Sequence, residues 1–516
     1  MVSEETLYMT VAELGPQIRE KKISPVDLTR GYLDRLEKYG PKLGAVATLM
    51  AESAMAEAQK AEAEISKGNY RGPLHGIPYG AKDLLATRGV PTTWGAPPFK
   101  DQVFDYDAAV IRKLRDAGAI LIAKLAMIEL AGGGGYNSAS ASLQGPSRCP
   151  FAPDYWAGGS SSGPGAAVPS ALVAFAIGSE TQGSIITPSA FSGVSGHRPT
   201  YGRVSRSGAM ALSWTMDKLG PMCRSAVDCA LVLEAIAGFD AADPSSVAES
   251  DYRARDSFVG RMLRAPARLF QRGDRPPLEG KKLGVIRPDF SRGPDSSGRG
   301  GNEEVQKAFE ASLETLRGLG ASLVDAEMPD LPYGPVSSAT ISCEGATIFR
   351  PLIESGKVHE LVDERQKVGL IASLSIPAAD YLDACRVRAQ IQTEVGRMFE
   401  VFDALVAPSR TSLANRVDVN FDARAPRPAG ADAERPPERS EAERRAAAGR
   451  GNRSNVIGST NLCGLPAISV PCGYAADGRP IGVQFVADAM RDDVCLDFAA
   501  AFQSATQFHI NRPSLA

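Results

Sequence analysis

Gly178-Ser179-Glu180-Thr181-Gln182-Gly183-Ser184-Ile185 is the run on which the reading of this chain turns. Thr181 to Ser184 can close a tight loop whose successive backbone N–H groups converge on one point. That is the geometry that receives a developing oxyanion, and the loop ends on a hydroxyl. Two companion runs lie upstream, Gly76-Ile77-Pro78-Tyr79-Gly80-Ala81-Lys82-Asp83 and Gly158-Gly159-Ser160-Ser161-Ser162-Gly163. Together the three supply one lysine and two candidate hydroxyls in a glycine-rich setting, which is what a nucleophilic hydrolase without histidine needs. Histidine is scarce: His75, His197, His359 and His509 each stand alone.

Lys82 sits in an apolar segment punctuated by Gly and Pro, where an unpaired charge is costly to bury. Burial lowers a lysine pKa, and a lysine neutral near pH 7 can act as a base. Asp83 points the other way in an extended segment and is expected to brace nearby backbone. The bland alternatives are a surface lysine beside an aspartate, a serine-rich loop capping a following helix, and a structural Gly-Ser turn. Each run is weak alone; the three in this order are strong. Gly159 to Gly163 also matches G-x-S-x-G, the elbow that carries the nucleophile of α/β-hydrolases. We reject that match, because Phe151 to Trp156 is a poor strand and His197 lies in a turn-like Gly-His-Arg-Pro context.

Outward from these runs the chain alternates glycine-rich loops with apolar segments from about 70 to 240, the pattern of an α/β layer protein. Residues 1–68 read as an N-terminal helical part, with Thr10 and Ser24 as N-caps and Pro25 in a first turn. A helix is expected over 108–117, a buried strand over 119–123, an apolar helix over 166–177 and a helix from about 227 to 238. Later, 461–471 reads as a turn entering a strand, 481–486 as a strand and 493–506 as a final helix. Segments 256–300 and 411–452 are expected to be peripheral loops or insertions. The first holds an Arg-rich amphipathic stretch, 256–282, read as a surface helix or lid. Pro266 interrupts it, which argues against membrane contact. The second, 422–450, mixes arginines, acids and prolines and reads as a mobile loop. No internal repeat or second domain is evident, so 1–516 is read as one domain.

Composition is that of an ordinary soluble protein: 516 residues, 43% hydrophobic, 23% charged, net charge −3. The near balance argues against a nucleic-acid binder. No run of about 18 apolar residues is present to span a bilayer, and Met1 to Glu20 has no apolar core like that of a signal peptide. None of the eight cysteines forms a CxxC pair. All eight are expected to be small buried apolar side chains, reduced in a cytoplasmic protein.

The three runs resemble those of the amidase signature family. Gly76–Asp83 is similar to its lysine segment, Gly158–Gly163 to its GGSSGG segment, Gly178–Pro188 to its GTDxGGSIRxPA segment, Ser192–Arg203 to the continuation, and Asn461–Gly473 to its NLxGLPAxxxPxG run. Ser160 and Ser184 are 24 residues apart, as in the family. The resemblance implies a central twisted mixed β-sheet covered by helices, in one large α/β/α domain. It implies a Ser–cis-Ser–Lys triad: Ser184 the nucleophile, Ser160 the proton relay after a cis peptide bond, Lys82 the base, neutral at rest. The oxyanion would be held by N–H groups of Thr181, Gln182, Gly183 and Ser184, and a substrate-facing carbonyl would lie near Gly134 in the 132–135 glycine loop. No cofactor and no metal are implied. Two positions depart from the family. Gln182 replaces a glycine, and Ile186 replaces an arginine, giving that substrate-binding wall an apolar character. The expected activity is hydrolysis of a neutral amide, anilide or carbamate, acting on a small molecule. The alternatives are the amidase subunit of a tRNA-dependent amidotransferase complex, or a urethanase-like carbamate or ester hydrolase. An inactive binding protein on the same fold is disfavoured because all three triad positions are filled. The oligomeric state is open, and a homodimer is compatible.

Overall fold

The computed structural model describes residues 2–248, 252, 257–264, 276–290, 302–421 and 453–515. Among the described residues thirteen strands run in chain order: β1 Val46–Leu49, β2 Pro78–Lys82, β3 Ile120–Leu125, β4 Arg148–Cys149, β5 Ala152–Trp156, β6 Phe175–Glu180, β7 Ser195–Arg198, β8 Lys218–Cys223, β9 Lys282–Ile286, β10 Ser322–Ala326, β11 Ala404–Pro408, β12 Ala467–Tyr474 and β13 Pro480–Val486. Eleven of them form one mixed sheet in the order β1-β3-β2-β6-β8-β7-β12-β13-β11-β9-β10, while β4 and β5 make a separate hairpin. β2 runs parallel to both β3 and β6, whereas β6 and β8 are antiparallel. The central strands are buried along their whole length, which fits their largely apolar sequences, interrupted by Lys82, Lys124, Ser179 and Glu180, under helices on both faces. The sheet is thus the mixed, helix-covered α/β architecture expected.

Local chemistry sets the element boundaries. Thr10 and Glu13 form a reciprocal capping box, and the Ser24 hydroxyl accepts the Asp27 N–H ahead of the first-turn Pro25. The helices Ala109–Asp116, Ala226–Ile236 and Asp492–Ser504 lie where periodicity placed them. The expected apolar helix over 166–177 is a correction. A helix covers only Ser162–Ala167, and Phe175–Ile177 belongs to the central strand β6. A fully buried strand and a buried helix share one signature, a continuous apolar run, so periodicity does not separate them. Likewise 152–156, judged a poor strand, is β5, an edge strand that tolerates Pro153. Within the N-terminal helical part, Val46–Leu49 is an edge strand paired with β3.

Within the segment 256–300, Phe258–Arg264 is a short helix, 276–290 includes β9, and the rest of the Arg-rich stretch lies outside the described residues. The 422–450 segment lies outside them as well. Residues 411–421 are not peripheral: Tyr155 pairs with Arg416 and Ser138 with Asn420, folding this segment over the sheet end. Among the cysteines, Cys385 is exposed and Cys343 and Cys463 are half-buried, so only five of the eight fit the buried expectation. Among the described residues, no single helix is long and apolar enough to cross a membrane.

Candidate active site

Lys82 ends β2, at the carboxyl end of the parallel β3-β2-β6 group, where open α/β sheets present ligand sites. Its side chain is fully buried. All three of its hydrogen-bond partners are hydroxyls: Ser160 at 2.7 Å, Ser179 at 2.9 Å and Ser161 at 3.1 Å. Burial pulls its pKa down to about 7, against the opposing pull of the Asp217 and Glu180 carboxylates. A neutral amine has two N–H donors and one lone pair, so it can satisfy these three hydroxyls by accepting one O–H and donating twice. The Ser161 hydroxyl donates to the Ser179 carbonyl at 3.2 Å, which leaves it to accept from the lysine.

The serine run is pinned on both sides. The Ser160 carbonyl accepts the Ile128 N–H at 3.1 Å, and the Gly163 N–H donates to the Ala126 carbonyl at 2.8 Å. The Ser161 N–H donates to the Ser184 carbonyl at 3.2 Å. A side chain at Gly163 would drive its Cβ into the Ala126 backbone, well inside contact distance, so the approach itself requires glycine. The peptide between Gly159 and Ser160 is cis.

Ser184 stands at the mouth of this cluster, half-buried, on the loop between β6 and the helix Ile186–Ser192. The N–H groups of Gln182, Gly183 and Ser184 have no protein acceptor among the described residues. Gly183 takes the positive φ of +93°, while Gln182 is exposed with ordinary backbone, so the replaced glycine is not the one the turn needs.

One carboxylate holds the loop from beneath. Glu180 accepts the N–H groups of Ile185 at 2.8 Å and Ile186 at 2.9 Å through one oxygen. Through the other it accepts from Arg198 and from the Asn461 amide, both at 2.8 Å. Burial alone would raise its pKa, but Arg198 and Lys218 bring it down to about 2. Lys218 in turn donates to Asn461 at 2.8 Å. Asp217 accepts from the Thr181 hydroxyl at 2.6 Å and from the N–H groups of Leu212 and Ser213. None of Glu180, Asp217, Arg198, Lys218 or Asn461 was singled out from sequence. Glu180, Arg198 and Asn461 all stand inside the quoted runs, and a charged residue flanked by apolar strand was the available signal.

A cavity of about 320 Å³ opens in front of Ser184. Ala131, Gly132, Gly159, Thr181 and Gln182 line it together with the aromatic residues Tyr136, Trp156, Phe191 and Phe421. Two expected substrate contacts are not brought to it. Gly134 packs against the helix Glu364–Ser373, its N–H donating to the Gln366 side chain at 2.9 Å; Ala131 and Gly132 face the cavity in its place. Ile186 turns away into an apolar cluster with Met216, Ile286 and Leu405, so the wall assigned to it is a piece of core. His197 is equally remote: it is buried in β7 and bonds Asp492 at 3.0 Å, helping to dock the helix Asp492–Ser504. That pairing removes it as a partner for the serine run.

The family model described as Amidase matches residues 27–496. A glutamyl-tRNA(Gln) amidotransferase chain of Geobacter metallireducens is 31% identical, covering 99% of this chain and 100% of that protein. The structure of native peptide amidase from Stenotrophomonas maltophilia superposes with a TM-score of 0.78 at 27% identity, covering 98% of each chain. A bacterial aryl acylamidase of the amidase signature enzymes shares the fold at a TM-score of 0.79 and 22% identity, over 97% of this chain and 98% of that one.

Proposed function

The chain belongs to the amidase signature family, and from that premise we propose that it is a stand-alone hydrolase cleaving the carbon–nitrogen bond of an amide, anilide or carbamate through an acyl-enzyme on Ser184. The observation that carries this reading is a fully buried lysine, titrating at about 7, whose hydrogen-bond partners are all serine hydroxyls. The neutral amine of Lys82 takes the Ser160 proton as Ser160 takes that of Ser184. The Ser184 oxygen attacks the carbonyl, and the N–H groups of residues 181–184 receive the oxyanion. The proton returns through Ser160 to the leaving nitrogen, the carbon–nitrogen bond breaks, and water then cleaves the ester on Ser184 by the same proton route.

The test is a panel of para-nitroanilides, primary amides, esters and carbamates with the purified chain, alongside a fluorophosphonate probe. Turnover and labelling that both vanish in Ser184→Ala support the reading; full turnover by that variant overturns it. A second reading, the amidase component of an amidotransferase complex, is favoured by the full-length similarity to glutamyl-tRNA(Gln) amidotransferase chains. Co-purification with partner chains, and glutamine hydrolysis only in their presence, would select it.

A further inference from the structure

Leu130 and Ala131 are consecutive residues in the left-handed region, at φ +49° and +56°. That region favours glycine, and side chains are held there only where the surroundings over-determine the backbone. The turn they form borders the cavity in front of Ser184 through Ala131 and Gly132. Toward Ser160 it is tied by the Ile128 N–H, which donates to the Ser160 carbonyl at 3.1 Å. On the other side the start of one helix grips it. The buried Glu129 carboxylate accepts the Val362 and Asp363 N–H groups, one on each oxygen, both at 2.8 Å. Asp363 caps the helix Glu364–Ser373 and accepts the Asn137 N–H at 3.1 Å. Gln366 donates to the Glu129 carbonyl at 2.5 Å and accepts the Gly134 N–H at 2.9 Å. The Ala131 carbonyl has no donor among the described residues.

We propose that Glu129 is a positioning residue that makes this site prefer an amide over an ester: its carboxylate holds the Leu130–Ala131 turn so that the Ala131 carbonyl accepts the N–H of the scissile amide. The inference rests on the hydrolase reading above and adds a determinant to it. In that mechanism cleavage transfers the Ser160 proton to the leaving nitrogen, whose lone pair must point at Ser160. An acceptor that takes the nitrogen's own N–H fixes this orientation. Because the Ile128 N–H joins the same stretch to Ser160, acceptor and proton donor are held at a set separation. An ester oxygen has no N–H to offer, and a para-nitrophenolate leaves without a proton. Without the Glu129 clamp the turn relaxes toward ordinary φ, and a displacement of about 1 Å at such a contact costs up to ~100-fold in rate. Attack by Ser184 on an electrophile that has no N–H depends on the 181–184 loop, which Glu180 holds separately.

The test compares para-nitroacetanilide with para-nitrophenyl acetate, or the same pair built on whichever acyl group the panel shows to be cleaved fastest. The two share an acyl group and differ at the scissile atom. Glu129→Ala is expected to lower kcat/KM for the anilide roughly 10- to 100-fold more than for the ester. Fluorophosphonate labelling of Ser184 should stay within about threefold of the parent rate, since the probe has no N–H to orient. Glu129→Gln, which keeps one carbonyl acceptor, should fall between. Gln366→Leu loosens the same turn from the helix and should move the ratio in the same direction, an independent reading if Glu129→Ala does not fold. An equal loss on both substrates, with an equal loss of labelling, would mean a merely structural carboxylate and overturns the proposal. So does an unmoved ratio in an active Glu129→Ala or Gln366→Leu protein, which leaves the hydrolase reading standing. A parent that labels at Ser184 and cleaves the ester but no anilide or amide overturns the amide-hydrolase reading and this proposal with it.

Discussion

Lys82 and Lys124 lie on neighbouring parallel strands one register position apart, Lys124 pairing with Ala81 and Lys82 with Leu125, and neither is exposed at all. Burial pulls both pKa values down. Their partners differ. Lys124 stands 3.0 Å from the Asp83 carboxylate and donates to the Thr92 hydroxyl at 2.8 Å. Asp83 in turn accepts the Thr93 N–H at 2.9 Å and its hydroxyl at 2.5 Å. Lys82 meets hydroxyls only. A carboxylate beside a buried ammonium opposes the loss of its proton and ties loop to sheet; an ammonium surrounded by hydroxyls has no such opposition in contact and gives up its proton near neutral pH. Thus the same residue type, at equal depth and one strand apart, meets a carboxylate in one case and hydroxyls alone in the other, and the proposed division of labour turns on that counter-charge.

The comparison breaks most sharply with activity. Ser184→Ala should remove at least ~10⁴-fold of turnover, and Lys82→Met at least ~10³-fold, in single-turnover assays on any cleaved anilide. Lys124→Met should act instead on stability. It leaves the Asp83 carboxylate buried without its cation, at a cost of about 3–5 kcal/mol in denaturant unfolding. If Lys124→Met matched Lys82→Met in turnover per folded molecule, the distinction between the two lysines would collapse.

The two can also be made alike. Ser179→Asp places a carboxylate against Lys82 and should carry the midpoint of the kcat/KM profile from about pH 7 upward by roughly 1–3 units. On the proposed mechanism, in which the neutral amine is the active form, the rate of the unaltered protein should climb with pH and level off above that midpoint. Stability follows the same group. Folded Lys82 titrates near 7 against an ordinary 10.5. Between those values the unfolded chain binds the extra proton, so unfolding free energy rises with pH across that window. Lys82→Met should lose this rise, measured as the difference between variant and parent at pH 6.5 and pH 9.

The smallest effect is expected at Ser162, whose buried hydroxyl has no protein partner among the described residues. Ser162→Ala should leave turnover within about threefold and stability unchanged or slightly raised. Ser161→Ala, which removes one bond to Lys82, should fall between this and Ser160→Ala.

Much of this site was legible because its chemistry is concentrated in short stretches. Lys82 on an extended segment, a serine run ahead of a helix and a glycine turn ending in Ser184 each announce local geometry. Thr10 and Ser24 were equally readable, since a cap speaks to N–H groups three residues away. What stayed hidden was long-range. Glu180 is completed by Arg198 and Asn461, the latter 281 positions along the chain, and nothing local marks that meeting. Lys124 went unnoticed because its strand reads as apolar and its partner Asp83 lies in the turn just past the end of β2. Ile186 was misplaced for the opposite reason: two positions past Ser184 in the chain, it is on the far face of the first helical turn.

The four bonds to Glu180 have an evolutionary corollary. Two of them lash the end of a central strand to the start of a helix across the turn that carries Ser184, and two tie it to Arg198 on β7 and to Asn461, so that turn is a fixed cassette and not a flap. Diversity in what the enzyme accepts must then arise elsewhere, along the 410–421 span, which arrives late in the chain and shares none of those four bonds. Exchanging that span between relatives should transplant selectivity and leave the proton machinery where it stands.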